Sequence, residues 1–282
     1  MARSQILERH DGGVKTTERI DSLLRTVSEI PHDDLLRSWT WRGAEVNVRH
    51  GLYRILEIFE EGGEDARNHT RGSRLRGNSE AGRWDLHAIL IPLSIVDIDA
   101  NPGGEQWTIR KTVRHILGAQ DWFARVLGES QRLLSAGDPV AVDMPDQILA
   151  EFGSRPPSAK GTIPEVLNLF DGLMDRALTA ADQLDLAGQL DVPIGWFEAS
   201  VTVGYFAHRQ SAHLREHTIQ IDKTLQQLGR TPTEAQRIAR AQARAFAGLI
   251  SAPATTVDAK LDEAEAVMAE LAPNVGRFEG NG

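Results

Sequence analysis

Apolar residues recur along this chain every three or four positions, the spacing of one helical face. Ile20, Leu23, Leu24 and Val27 set the first stripe, and Pro31 closes it. Thr16 or Thr17 is the expected cap, with residues 1–12 left as a loose tail. Val46, Val48, Leu52, Ile55, Leu56 and Phe59 predict a helix over 42–68. Its later turns crowd Glu57, Glu60, Glu61 and Glu64 around Gly62 and Gly63, a set expected to break the helix early. Residues 70–82 are rich in glycine and charge and read as a mobile loop. A short helix from Ala81 or Arg83 to Val96 follows, then a turn over 97–106.

Thr108 is placed to cap a helix to Leu127, with Val113, Ile116, Gln120, Phe123 and Leu127 as its inner stripe. Residues 128–161 hold several prolines and glycines. They read as a long connection with short helical turns near 131–135 and 145–152. Thr162 and Glu165 form a capping-box pattern around Pro164, opening a helix with Val166, Leu169, Phe170, Leu173 and Leu178 inward. After a loop at 191–195, Ser200 or Thr202 caps a helix that Gly229 ends. Thr231 is the expected cap of the next helix, and a last one spans 256–271; this pair reads as an added helical hairpin. No useful strand alternation is visible, so the fold class is all-α.

Composition narrows the chemistry. The chain has 282 residues, 41% of them hydrophobic, and a net charge of −9. An acidic balance argues against nucleic acid as a partner and gives no pull toward an anionic membrane. The longest apolar run, 88–96, is too short to span a bilayer, and the first residues lack the apolar run of a secretory signal. The expected location is the cytoplasm. There is no cysteine, so any thiol chemistry must use a thiol from outside the chain.

The candidate chemistry sits on the helix before Gly229. His213 and His217 are four apart and share one face. Their row continues through Phe206, Gln210, Ile221, Thr224 and Leu228, so it faces a bundle interior. Two imidazoles so spaced can share a metal, but an open catalytic site takes a third protein ligand. His115, midway along the helix after Trp107, is the candidate; a structural histidine bonded to a carbonyl is the bland alternative. Gln210 and Gln220 flank the row as candidate contacts to a bound ligand. Asp121, Arg110, Trp122 and Tyr205 are weaker candidates, each as readily an ordinary surface or core residue. Glu216 reads as a solvated partner of Arg215 or Lys223.

Two segments, EQWTIRKTVRHILGAQDWF (105–123) and VTVGYFAHRQSAHLREHTIQI (201–221), resemble the signature segments of the DinB-like superfamily. Trp107–Thr108 opens a helix, His115 follows two turns later, and H-x-x-x-H with a trailing Gln falls at His213, His217 and Gln220. The resemblance covers roughly 42–229. It implies a four-helix bundle with a long crossover, flanked here by an N-terminal helical extension (1–41) and a C-terminal helical hairpin (230–282). It further implies a divalent metal, Zn2+ or Ni2+, held by His115, His213 and His217. Characterised members include thiol-dependent S-transferases and a mycothiol-dependent maleylpyruvate isomerase. The resemblance therefore implies a transferase or isomerase acting on a small molecule with a thiol such as mycothiol. A metal-dependent hydrolase without thiol and a non-enzymatic helical stress or binding protein are the alternatives, and a homodimer is an expected assembly.

Overall fold

A computed structural model describes residues 2–41, 43–65, 71–136, 148, 157–196, 199–250 and 252–276. The elements are α1 (Ala2–Ser28), α2 (His32–Leu35), β1 (Ser38–Trp41), β2 (Ala44–Asn47), α3 (Val48–Asp65), α4 (Arg71–Leu90) and α5 (Ile95–Asp99). They continue with α6 (Ile109–Ala136), α7 (Ile163–Leu186), β3 (Pro193–Trp196), β4 (Ala199–Thr202), α8 (Val203–Gln227), α9 (Glu234–Leu249) and α10 (Ala254–Leu271). The fold is all-α, with two four-residue antiparallel hairpins as its only described strands. No described helix is long and apolar enough to cross a membrane.

The contacts fall into two compact units whose sequence segments interleave. One takes the described residues of Met1–Asn68, Trp84–Pro92 and Pro232–Gly282; the other takes those of His69–Arg83 and Leu93–Thr231. The contacts divide between Thr231 and Pro232, close to the expected boundary at 230, but show no division near residue 42. In the first unit α3 packs on α9 and α10, and α1 packs on both as well. Helices α9 and α10 thus serve as walls of a bundle with α1 and α3, where the sequence suggests an appended hairpin. Phe246 of α9 meets Phe59 at 5.4 Å and Trp84 at 5.1 Å, each edge to face. At Gly62 the neighbouring side chains crowd the helix: a Cβ there would lie 2.7 Å from Leu249 Cδ1 and 2.9 Å from Lys260 Cγ, and the Gly248 backbone passes beside Gly63. That close approach explains why α3 runs through Gly62 and Gly63 instead of breaking at them.

In the second unit α6 packs against both α7 and α8. Trp122, Phe123, Val126 and Leu127 of α6 meet Val203 and Phe206 of α8 and Ala177 and Leu184 of α7 in one core. Burying four such large side chains of α6 contributes on the order of 6–12 kcal/mol, before conformational entropy is set against it. Thr162 caps α7 as expected, its hydroxyl accepting from Glu165 N while Glu165 accepts from Thr162 N at 2.7 Å. Thr202 caps α8, accepting from Tyr205 N at 3.1 Å. The β3–β4 hairpin delivers the chain to that cap, with Val203 N donating to Val192 O and Gly204 N to Leu190 O. Gly229, at φ 72°, ends the helix, and Arg230 N returns to Leu225 O.

Several expected boundaries move. α1 begins at Ala2, so residues 2–12 continue the helix, and Thr16 and Thr17 lie inside it. The stretch 38–47 is a hairpin turning at Gly43 (φ 82°), so α3 starts only at Val48. The glycine-rich stretch expected as a loop is helical from Arg71 on. Long-range ion pairs give this weak helix former its hold: Arg83 binds Asp175 of α7 at 2.5 Å, and Arg76 binds Asp182. Gly82 seats against Leu214 of α8, where a Cβ would stand 2.9 Å from its Cδ2. The helix expected to reach Val96 ends at Leu90, and a separate short helix, α5, capped by a Ser94–Asp97 box, runs into the expected 97–106 turn. α6 runs on to Ala136 and absorbs the turn expected at 131–135. The turn expected at 145–152 lies outside the described residues except for helical Ile148. The cap of α9 is Thr233, paired with Gln236, two residues beyond the expected Thr231.

Candidate metal centre

His115 is carried by α6, and His213 and His217 by α8, one turn apart. The α6–α8 packing brings them together. His213 Nε2 lies 3.2 Å from His115 Nε2 and 3.1 Å from His217 Nε2. The three ligand atoms all fall within 4.8 Å of one another. All belong to the second unit, and among the described residues this is the cluster of three or more potential ligands that could hold an ion. Below it Phe123 stacks edge-on to His213 at 6.0 Å, so the aromatic core closes one side. His213 and His217 are buried, whereas His115 is half-buried, which puts the accessible side of the centre at His115.

The protonation chemistry suits a cation. Burial lowers the pKa of His213 to about 3, helped by His217, His115 and the Arg209 guanidinium. Burial also lowers His115, with His217 adding to it and Glu216 opposing. Both rings are therefore neutral near pH 7 and can present a lone pair. Gln220 Oε1 lies 2.8 Å from His217 Nδ1. An amide oxygen there can only accept, so it holds the proton on Nδ1 and leaves Nε2 free to ligate. His213 Nδ1 is buried without a hydrogen-bond partner among the described residues. A tetrahedral zinc site with Zn–N near 2.0–2.1 Å sets its nitrogens about 3.3 Å apart, close to the two separations from His213. Three imidazole nitrogens converging from two helices fit one divalent ion with a fourth position left open.

The other sequence candidates sort by contact. Gln220 is at the centre, as the hydrogen-bond partner of His217. Gln210 is buried and turned to Gln120, donating to its Oε1 at 2.9 Å, with Met174 Sδ at 3.5 Å. Arg110 binds Asp99 and the carbonyl of Ala159. Asp121 pairs with Arg125 and Arg176. Trp122 is core, its Nε1 donating to Ile148 O, and Tyr205 is exposed at the start of α8. Glu216 pairs with Arg209 at 3.4 Å instead of with Arg215 or Lys223. His208 is exposed.

Two neighbours went unread as site residues. The Trp107 ring lies edge-on to His115 at 5.4 Å, and Lys111 Nζ stands 4.9 Å above that indole. The signal for Lys111 was its place four residues before His115, on the same helical face. Trp107 was legible only as a helix-start marker.

A family model described as the DinB superfamily matches residues 80–221, just over half of the chain, and spans all three histidines. No curated protein and no solved structure matches the chain.

Proposed function

Because this chain belongs to the DinB superfamily, we propose that it is a divalent-metal-dependent enzyme, a transferase or isomerase that uses a small thiol such as mycothiol. The observation that carries the reading is the convergence of His115, His213 and His217 through their Nε2 atoms. His115, His213 and His217 would hold the ion, which when bound would supply Lewis acidity that favours the anion of a thiol or water. The chain's own residues supply the rest. The three imidazoles bind. Gln220 holds the Nδ1 proton of His217 and so fixes its ring. Phe123, Trp122 and Phe206 pack beneath and exclude water from the buried side. The absence of any cysteine supports a thiol from outside the protein, since the chain offers none.

The test is optical. Protein loaded with Co2+ should show d–d bands of a four-coordinate site. Adding a small thiol should produce a thiolate-to-cobalt charge-transfer band in wild type and none in His213→Ala. Cobalt bands that ignore every thiol tried, together with turnover of ester or amide substrates, would favour the hydrolase instead.

A further inference from the structure

Resting on that reading of the metal centre, we propose that Lys111 selects the ligand: the site takes a small molecule with an anionic group beside its metal-binding atom. Lys111 and His115 are i and i+4 on α6 and so look out on the same side. Nζ stands 4.9 Å over the Trp107 ring, and that ring abuts His115 at 5.4 Å, so the ammonium lies one indole away from the half-buried histidine. Trp107 is itself held toward α8, its carbonyl accepting from Thr224 Oγ1 at 3.5 Å. The ammonium is thus placed by an aromatic wall that belongs to the centre.

No acid is set against its charge among the described residues. Arg209 acts on His213 from the same helix but is neutralised by Glu216 at 3.4 Å. Lys111 is exposed and has no carboxylate within ion-pair distance among the described residues. In a chain of net charge −9, where arginines of the same unit are paired with acids, an unpaired cation next to an open metal position is a local reversal of sign. An anion arriving there replaces part of the water on Nζ and meets both the ammonium and the edge of Trp107. A charge-assisted hydrogen bond of this kind is worth about a fivefold to tenfold gain in affinity when partly shielded from solvent.

The experiment compares 4-mercaptobutanoate with its neutral amide on full-length protein loaded with Co2+, read by the charge-transfer band. Wild type should prefer the carboxylate, and Lys111→Gln should weaken its binding about fivefold to tenfold while leaving the amide within twofold. Lys111→Arg should keep the preference. Equal losses for both probes, or none, would overturn the role of Lys111. If no charge-transfer band forms with either probe, the thiol reading fails. Butanoate and butanamide, followed through the d–d bands, then decide the anion preference by the same wild-type-to-variant ratio. Failure to bind cobalt at all overturns both readings.

Discussion

His213 combines three roles in one ring: it bridges the other two histidines, touches the aromatic core and is buried to 6% exposure. Its proton affinity is a stability statement. The unfolded chain takes up a proton near 6.5, the folded chain only near 3. Between these values the unfolded state holds more protons, so stability rises with pH through that window and falls as pH drops. Metal-free wild type should lose denaturation midpoint between about pH 7 and 5, and His213→Gln should show a shallower loss over the same range. Equal slopes would show that His213 does not titrate differently on folding. Gln220 makes a second prediction. Replacing it with Leu removes the acceptor that holds the His217 tautomer, and metal affinity should fall about tenfold or more, with the helical circular dichroism unchanged. Unaltered affinity by competition with a chelator would contradict that role. The histidine triplet was legible in the sequence because i,i+4 spacing and the run after Trp107 are local patterns. The Gln120–Gln210 pairing was not, because Gln210 shares the histidine row and only the position of α6 shows that its amide turns to Gln120.

At the scale of elements, legibility followed whether the stabilising contact was local. The Thr162–Glu165 box lies within four residues and was read correctly. Thr162→Ala should cost about 1 kcal/mol, measured by urea unfolding; no change would mean that the cap contributes nothing beyond solvent. Helix α4 is the opposite case. Its first twelve residues hold glycines at 72, 77 and 82 and several arginines, and its partners lie about a hundred residues away on α7. Arg83 is buried beside Glu80, Asp171 and Asp175, so its charge is fixed by neighbours no local window contains. Arg83→Met leaves Glu80, itself 1% exposed, without its closest cation, and should destabilise by about 3–5 kcal/mol. A loss below about 1 kcal/mol would show that the network is solvated after all. The hairpins at 38–47 and 193–202 were missed for a related reason: four-residue strands are too short to show alternation, and their registers depend on the turns between them.

The described residues form two compact units whose sequence segments alternate, and the family match lies mostly in the one that carries the histidines. Helices α1, α3, α9 and α10 build the other unit around Phe59, Trp84 and Phe246. A sequence read in order separates 1–41 from 230–282, because nothing in either segment announces that it packs with the other. If one ion joins α6 to α8, its binding free energy is placed on those helices. We propose that His115, His213 and His217 together hold one divalent ion. The most direct measurement is metal content per chain after purification and dialysis against Zn2+, by mass spectrometry, for wild type and the three single His→Ala variants. Wild type should carry one ion per chain and each folded variant well under half that. Wild type that emerges without stoichiometric metal, or variants that retain a full equivalent, would contradict it.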